Sequence, residues 1–330
     1  MFEPKINPQD VRLFSGSSHP TLAQGIAAYL GLPLEKTFHR RFSNDNLEVQ
    51  LGASVRSRAV FIVQSLVPPA SENLLELLMM LDIARSAAAR EVHAIIPYFS
   101  YARSDKKDAP RISITARLIA DLLKTAGATQ VMTLTLHSPQ AHGFFSVPAD
   151  PLTARGIFVD YFKKRNLDKT IVVAPDMGHA KPSARFAHSL NLPFVAAEKE
   201  RLSDTEVRVS GLFAQQVRGF RRVLIYDDEI ATAGSVVELS RVLVENGIEE
   251  IIAICTHGVF TGRAFERLAS LPQITELVTT DSVPPSEKRP PNLTVLSVAP
   301  LFGEAIRRNY MRQSIGDLFT YWKDDEQADE

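Results

Sequence analysis

The sequence contains little cysteine and lacks a long apolar run. Its 330 residues include one cysteine, Cys255, which excludes an intrachain disulfide and a cysteine-based zinc cluster. Cys255 lies in the apolar run IIAICTHG, which predicts a buried, unreactive thiol rather than a nucleophile. No apolar stretch approaches bilayer-spanning length, and the first ten residues lack the basic and apolar segments of a secretion signal. We therefore expect a soluble, cytoplasmic protein with no membrane partner.

The chain also lacks an excess of charge of either sign. It carries 37 Lys and Arg residues against 38 Asp and Glu residues, a formal net charge of -1. A protein that binds DNA or RNA usually presents a large positive surface, because its contacts with phosphates release counterions. A nucleic-acid partner is therefore not expected, although a local basic patch could still bind a small phosphate.

Strand-like and helix-like segments alternate along most of the chain. Apolar runs such as VRLFSG, AVFIVQS and EVHAIIPYFS alternate with amphipathic segments such as TLAQGIAAYLG and ENLLELLMMLDIARSAAA. This alternation predicts an α/β protein with mainly parallel sheets flanked by helices. A chain of this length exceeds the usual size of one hydrophobic core, and the strand pattern is interrupted near residue 150. We therefore predict two domains, residues 1–150 and 151–330.

The segment IYDDEIATAGS, residues 225–235, combines two acids with a small, hydroxyl-rich turn. The run RRVLIY predicts a buried strand with Asp227 and Asp228 at its carboxyl end, where carboxylates can accept hydrogen bonds from sugar hydroxyls at about 1.5–3 kcal/mol each. The turn then leads into a predicted helix, whose amino terminus favours a phosphate. The turn residues are Thr232, Ala233, Gly234 and Ser235. A phosphorylated sugar suits both parts, and an acidic loop that caps a helix is the simpler alternative.

Two other polar residues follow predicted buried strands. Asp176, in VVAPDMGHAK, is either a helix cap or a ligand of a metal ion or hydroxyl group. His137, in TLTLHSPQAHGFF, is either structural or part of a site. Ligands of doubly wound sheets gather where strands end and helices begin, so several polar strand ends in one chain favour a site.

Two charged segments lie between the predicted strands. YARSDKKDAPRIS contains Arg103, and AEKERLSDTEVRVSG contains Lys199 and Arg201. Both segments could be solvated surface loops. Alternatively, Arg103 contacts a nucleotide phosphate, and Lys199 and Arg201 stabilise charge in a phosphoryl-transfer transition state. One preorganised donor in such a site changes the rate by about 10²–10³-fold.

In this order, the motifs resemble those of ribose-phosphate diphosphokinases from about residue 11 to residue 320. The likeness rests on FSGSSH, RRFSND, ENLLELLMMLD, IPYFSYARSDKK, LHSPQAHGFF, APDMGHAK, DDEIATAGS, CTHGVFTG and EAIRRN. Enzymes of this family make phosphoribosyl diphosphate and AMP from ribose 5-phosphate and ATP. The resemblance implies two phosphoribosyltransferase-like domains, Mg²⁺ bridging the phosphates, and a homo-oligomer in which dimers assemble into a hexamer.

The resemblance also implies roles for individual residues. Asp227 and Asp228 are expected at the ribose hydroxyls, and residues 232–235 are expected around the 5-phosphate. His137 and Asp176 are implied as metal ligands. Lys199 is implied at the catalytic position with Arg201 beside it. The implied nucleotide-binding residues are Phe42, Asn44, Asn46, Arg103 and Ser104.

The chain departs from the family pattern at several positions near these residues. Asn46 stands where the family usually has Glu, Ser104 where it has Gln, and Thr135 where it has an acid. Ser146 stands in place of Asp, His179 in place of Gly, and Ala231 in place of Asp. A smaller number of carboxylates near a divalent ion weakens the binding of that ion.

An active diphosphokinase is our first hypothesis, because the implied catalytic, metal and ribose residues are retained. The alternative is a weakly active or inactive regulatory paralogue that binds sugar phosphate. A phosphoribosyltransferase acting on a base is disfavoured, since that class needs only one such domain.

Overall fold

The computed structural model describes residues 6–197, 199–201, 207–209 and 211–319. The chain forms two compact units. The first unit extends to Thr153 and includes residues 282–284 and those from 297 onward, whereas the second comprises residues 154–281 and 285–296. The main boundary therefore lies close to the predicted one. The carboxyl-terminal part, which the sequence pattern places in the second domain, is instead part of the first unit.

Strands and helices alternate along both units. In chain order the elements are β1 (Val11–Ser15), α1 (Pro20–Leu30), β2 (Leu34–Glu35), β3 (Thr37–Arg41), β4 (Leu47–Leu51), β5 (Ala59–Val63), α2 (Ala70–Ser86), β6 (Glu91–Ile96), α3 (Thr115–Ala126), β7 (Gln130–Leu134), β8 (Ala149–Leu152), α4 (Arg155–Phe162), β9 (Thr170–Ala174), α5 (Ala180–Ser189), β10 (Phe194–Ala196), β11 (Lys199–Arg201), β12 (Val207–Val209), α6 (Gly211–Val217), β13 (Arg222–Ile230), α7 (Gly234–Glu245), β14 (Glu250–Gly258), α8 (Ala264–Ala269), β15 (Ile274–Thr280), β16 (Leu293–Leu296) and α9 (Ala299–Tyr310). Among the described helices, none has the length and apolar character needed to cross a bilayer.

The first unit contains a six-stranded parallel sheet in the order β2-β1-β5-β6-β7-β8. Every residue of the central strand β5 is buried, which explains why its sequence is an uninterrupted apolar run. Strands β3 and β4 form a separate antiparallel hairpin. The predicted parallel architecture is therefore confirmed in this unit.

The second unit repeats this arrangement with a parallel sheet in the order β10-β9-β13-β14-β15-β16. The central strand β13 is longer than its apolar run predicts. Its pairing with β14 continues to Ile230, which lies opposite Gly258. Asp227 and Asp228 therefore lie in the carboxyl-terminal part of β13, which continues beyond the apolar run RRVLIY to Ile230.

Helix α9 packs against α1 of the first unit through small residues. A Cβ added at Gly303 would lie 2.3 Å from Cδ1 of Tyr29, so glycine allows the two helices to approach closely. The Tyr29 hydroxyl donates a hydrogen bond to Oε2 of Glu304 at 3.0 Å. Hydrogen bonds from Arg307 and Arg308 lower the pKa of Glu304 to about 2. These contacts explain why the carboxyl-terminal helix belongs to the first unit.

A buried histidine in the first sheet predicts acid sensitivity of the fold. His93 on β6 is 2% exposed and stacks on Phe61 with 4.3 Å between ring centroids. Burial lowers the pKa of His93 below its ordinary value of 6.5. As the pH falls below about 6.5, the unfolded chain therefore binds a proton that the folded protein does not. We expect the free energy of unfolding to decrease in this range by up to about 1.4 kcal/mol per pH unit.

The variant His93→Gln tests this expectation, because it removes the titrating ring. Urea unfolding at about pH 7.5 and about pH 5.5 should show a smaller acid-induced loss of stability than in the parent protein. The variant His188→Gln is a matched control, since His188 is exposed on α5. A full acid-induced loss in His93→Gln would show that another group causes it.

Candidate functional site

The turn between β13 and α7 is held by hydrogen bonds from the loop and helix that follow β14. The N–H of Thr261 donates to the carbonyl oxygen of Ala231 at 2.9 Å. Nη1 of Arg267 donates to the carbonyl oxygen of Thr232 at 2.9 Å. Ala233 then takes a left-handed conformation with φ of 62°, which turns the chain into the helix. The turn is therefore a fixed backbone structure.

The amino terminus of α7 has the features of an anion site. Its N-cap residue is Ala233, whose methyl side chain cannot accept hydrogen bonds from the N–H groups of the first turn. Those groups and the helix dipole favour a negatively charged ligand. Ser235 is exposed in the first turn and adds a hydroxyl. The phosphate-binding role of residues 232–235 stays a prediction.

The two acids of β13 lie close together in a largely buried environment. Asp228 is 7% exposed, and the side chain of Asp227 is 17% exposed. The N–H of Asp228 donates to Oδ1 of Asp227 at 2.8 Å. Burial, and then the carboxylate of Asp228, raise the pKa of Asp227 well above its ordinary value. Ligands that donate hydrogen bonds, such as sugar hydroxyls, would stabilise the charged form of this pair.

His179 lies beside the acid pair, a position that sequence reasoning did not predict. It is 8% exposed, and its Nδ1 lies 3.9 Å from Oδ1 of Asp227. Its ring centroid is 5.7 Å from that of Tyr226. In the sequence, His179 stood out only as a departure from the usual glycine. The sequence feature that could have indicated its position is that His179 lies three residues after Asp176, which follows a buried strand.

Asp176 acts as a cap in this structure. Its Oδ1 accepts a hydrogen bond from the N–H of His179 at 3.0 Å, at the start of a short 3₁₀ segment before α5. The Asp176 side chain is exposed, and its charge contributes to the raised pKa of Asp227. Asp176 is therefore near the acid pair, as expected for polar residues at adjacent strand ends.

The other predicted metal ligand, His137, lies in the first unit. It is exposed and follows β7. Within the part of the chain that the structure describes, one group of three or more His, Cys, Asp or Glu residues could hold a metal ion, and it consists of His179, Asp227 and Asp228. Neither His137 nor Asp176 is in that group. Their predicted metal role stays a prediction.

Lys199 and Arg201 lie on a short hairpin of the second unit. Strand β11 pairs with β12, so that Lys199 is opposite Val209 and Arg201 is opposite Val207. The side chains of these residues lie outside the described part of the chain. Their catalytic roles therefore stay predictions.

The predicted nucleotide-binding residues occupy two segments of the first unit. The N–H of Phe42 donates a hydrogen bond to the carbonyl oxygen of Asn46 at 2.9 Å and closes the turn of the β3–β4 hairpin. The N–H of Asn46 donates a hydrogen bond to Oδ1 of Asn44 at 3.4 Å. Phe42 is partly exposed. Arg103 is exposed in the segment after β6, and the carbonyl oxygen of Ser104 accepts from the first turn of α3. Both segments therefore present polar or aromatic groups at the surface.

The single cysteine lies opposite Asp227 in the pairing of β13 with β14. Cys255 is fully buried in β14, and burial raises the pKa of its thiol. The prediction of a buried, unreactive thiol is confirmed.

Comparison with known proteins identifies close relatives of the chain. A family model described as the N-terminal domain of ribose phosphate pyrophosphokinase matches residues 11–127, and a phosphoribosyl synthetase-associated domain model matches residues 213–320. A ribose-phosphate pyrophosphokinase of Deinococcus radiodurans is 46% identical over 314 residues, which cover 93% of this chain and 97% of the relative. A ribose-phosphate pyrophosphokinase of Wolinella succinogenes is 42% identical over 308 residues, which cover 93% of this chain and 98% of the relative.

A solved structure shows the same fold. The crystal structure of phosphoribosylpyrophosphate synthetase from Mycobacterium smegmatis aligns with a TM-score of 0.86 and 36% sequence identity. The alignment covers 92% of this chain and 99% of that chain. The predicted fold class and the resemblance drawn from the sequence motifs are both confirmed.

Proposed function

Because the chain belongs to the ribose-phosphate pyrophosphokinase family, we propose that it transfers the diphosphoryl group of ATP to ribose 5-phosphate. The anomeric hydroxyl attacks the β-phosphorus of ATP, the bond from that phosphorus to the oxygen shared with the α-phosphate breaks, and AMP leaves. The product is phosphoribosyl diphosphate. One observation carries the proposal: within one segment, residues 227–235, an acid pair is followed directly by an uncapped helix amino terminus.

The acid pair and the helix terminus suit opposite ends of ribose 5-phosphate. Asp227 and Asp228 accept hydrogen bonds from the ribose hydroxyls, which favours their charged forms. The 5-phosphate accepts hydrogen bonds from backbone N–H groups at the start of α7, with the hydroxyls of Thr232 and Ser235 nearby. The left-handed turn at Ala233 holds these groups in place before the ligand arrives, which lowers the entropic cost of binding.

We propose that Lys199 and Arg201 stabilise the charge that develops on the transferred phosphates. Positive groups that are fixed near a transferring phosphoryl group act mainly by electrostatic stabilisation. The proposed ATP contacts lie in the first unit, where Phe42 offers an aromatic surface and Arg103 offers a cation. The polar residues Asn44, Asn46 and Ser104 complete the proposed nucleotide set.

The carboxylate of Asp176 fits Mg²⁺ as the proposed cofactor. Mg²⁺ prefers oxygen ligands. One carboxylate oxygen of Asp176 caps the 3₁₀ segment, and the side chain that carries the second oxygen is exposed. Asp176, in the second unit, and His137, in the first unit, are each proposed as a metal ligand. When bound, the ion would neutralise charge on the triphosphate of ATP.

We also propose that the protein is cytoplasmic and assembles from dimers into a hexamer, as the family resemblance implies. Size-exclusion chromatography with light scattering measures the mass of the assembly directly. A monomer at micromolar concentration would contradict the proposed assembly.

Detection of AMP is the direct test of the proposed activity. Purified protein given ATP, ribose 5-phosphate and Mg²⁺ should release AMP in step with phosphoribosyl diphosphate, and it should release none when ribose 5-phosphate is omitted. Formation of ADP would indicate a different phosphoryl transfer. Absence of AMP across several divalent ions and phosphate concentrations would favour a binding paralogue without catalysis.

The variant Ser235→Asp tests the phosphate turn. A carboxylate in the first turn of α7 would repel the 5-phosphate, so we expect the KM for ribose 5-phosphate to rise by at least about tenfold. The same carboxylate interacts favourably with the helix dipole, so the free energy of unfolding should stay unchanged or rise by about 0.3–1 kcal/mol. Enzyme kinetics and urea unfolding measure the two effects.

Ser235→Asn is the matched control for this prediction, because it has a similar shape and no charge. Its KM should stay closer to that of the parent protein. Equal effects of the Asp and Asn variants would show that shape, rather than charge, determines the loss.

A further inference from the structure

We propose that His179, Asp227 and Asp228 form a binding site for a late first-row transition ion such as Co²⁺ or Zn²⁺. The potential ligand atoms of the three residues all lie within 4.8 Å of one another. Nδ1 of His179 is 3.9 Å from Oδ1 of Asp227. The proposed Mg²⁺ ligands include none of these three residues.

The spacing of the three ligand atoms is close to that of a metal site. Metal–ligand bonds of about 2.0–2.2 Å place neighbouring ligand atoms about 3–3.5 Å apart. The separations of the three ligand atoms reach at most 4.8 Å, so the side chains must move closer together when an ion binds. An ion between the two carboxylates would also replace their mutual repulsion with attraction to a shared cation.

The histidine is held in place from two sides. The carboxylate of Asp176 accepts a hydrogen bond from the backbone N–H of His179, which fixes the position of its backbone. The ring of Tyr226 packs near the imidazole and stacks in turn on Phe186. A ligand that is oriented before the ion arrives loses less entropy on binding.

The nitrogen ligand determines which ions the site prefers. Mg²⁺ and Ca²⁺ are hard ions that take oxygen ligands, whereas imidazole suits Zn²⁺, Co²⁺ and Ni²⁺. Two carboxylates alone would favour the hard ions. His179 therefore shifts the preference of the acid pair toward the transition ions.

A site with three protein ligands leaves coordination positions open for other molecules. Since Asp227 and Asp228 are the proposed contacts of the ribose hydroxyls, those hydroxyls are the natural occupants of the open positions. This step deepens the proposed function and rests on it, whereas ion binding itself does not.

Ion binding to the full-length protein, measured without ATP or ribose 5-phosphate, tests the proposal. Addition of Co²⁺ should produce visible absorption bands of a bound ion, and calorimetry should give affinities for Zn²⁺ and Mg²⁺. The variant His179→Gln should lower the Co²⁺ and Zn²⁺ affinities by at least about tenfold and change the Mg²⁺ affinity by less than about twofold. His188→Gln, an exposed histidine variant on α5, should behave like the parent protein.

Two results would overturn the proposal. Unchanged Co²⁺ binding in His179→Gln would place the ion elsewhere, and equal losses of Zn²⁺ and Mg²⁺ affinity would assign His179 a structural role. His179→Gly, which restores the usual family residue, is a second variant that removes the ligand if the glutamine variant misfolds. A protein that binds Co²⁺ through His179 but releases no AMP would refute the proposed function and leave the metal site intact.

Discussion

Replacing Asp227 with asparagine is expected to abolish most ribose 5-phosphate binding while stabilising the folded protein at neutral pH. Asparagine retains the oxygen that accepts the hydrogen bond from the N–H of Asp228 but carries no charge. A hydrogen bond to a charged group contributes about 1.5–3 kcal/mol, so the affinity for ribose 5-phosphate should fall by about 10–150-fold. Calorimetry with ribose 5-phosphate measures this loss.

The stability effect of Asp227→Asn follows from the raised pKa of Asp227. Because the folded pKa exceeds the unfolded value of about 3.9, the folded protein loses stability as the pH rises from that value through the folded pKa. Asparagine does not ionise, so the variant should be more stable than the parent protein near neutral pH. The difference should disappear in acid, where both side chains are neutral.

Urea unfolding across this pH range provides the measurement, and Asp168→Asn provides the control. Asp168 is exposed before β9. Its variant should change neither ribose 5-phosphate affinity nor the pH dependence of stability. A loss of stability in Asp227→Asn at neutral pH would contradict the argument that ionisation of this acid opposes folding.

Replacing Lys199 with alanine is expected to reduce turnover by at least about a hundredfold with little change in ribose 5-phosphate affinity. A cation that acts only in the transition state affects kcat without affecting substrate binding. Loss of one preorganised electrostatic partner costs about 10²–10³ in rate. The rate of AMP release and calorimetric binding of ribose 5-phosphate separate the two quantities.

Lys164→Ala is a suitable comparison, since Lys164 is an exposed lysine of the same unit. It should retain the turnover of the parent protein. If Lys199→Ala lowers turnover and ribose 5-phosphate affinity by equal factors, Lys199 binds the substrate in its ground state, and the proposed role is wrong.

Local sequence patterns predicted the parallel sheets and the strand, turn and helix of residues 222–245. Apolar runs bounded by polar residues are local signals, and β5 and β9 reproduce them. The end of β13 was not predictable in this way, because its pairing with β14 stabilises an extended backbone through an acidic sequence.

Long-range packing accounts for the features that the sequence did not predict. The orientation of His179 toward Asp227 depends on how the segment before α5 packs beside β13, a contact between residues far apart in the chain. The place of α9 in the first unit depends likewise on Gly303 meeting Tyr29. Periodicity within either helix carries no information about such a partner.

The return of the chain from the second unit to the first has a consequence for biosynthesis. Helix α1 is translated before the second unit, whereas its packing partner α9 is translated after it. The second unit is complete in sequence once residue 296 has been added. The later-coded unit can therefore finish folding before the earlier-coded one, in which α1 has no α9 to pack against until residues 299–310 have been translated.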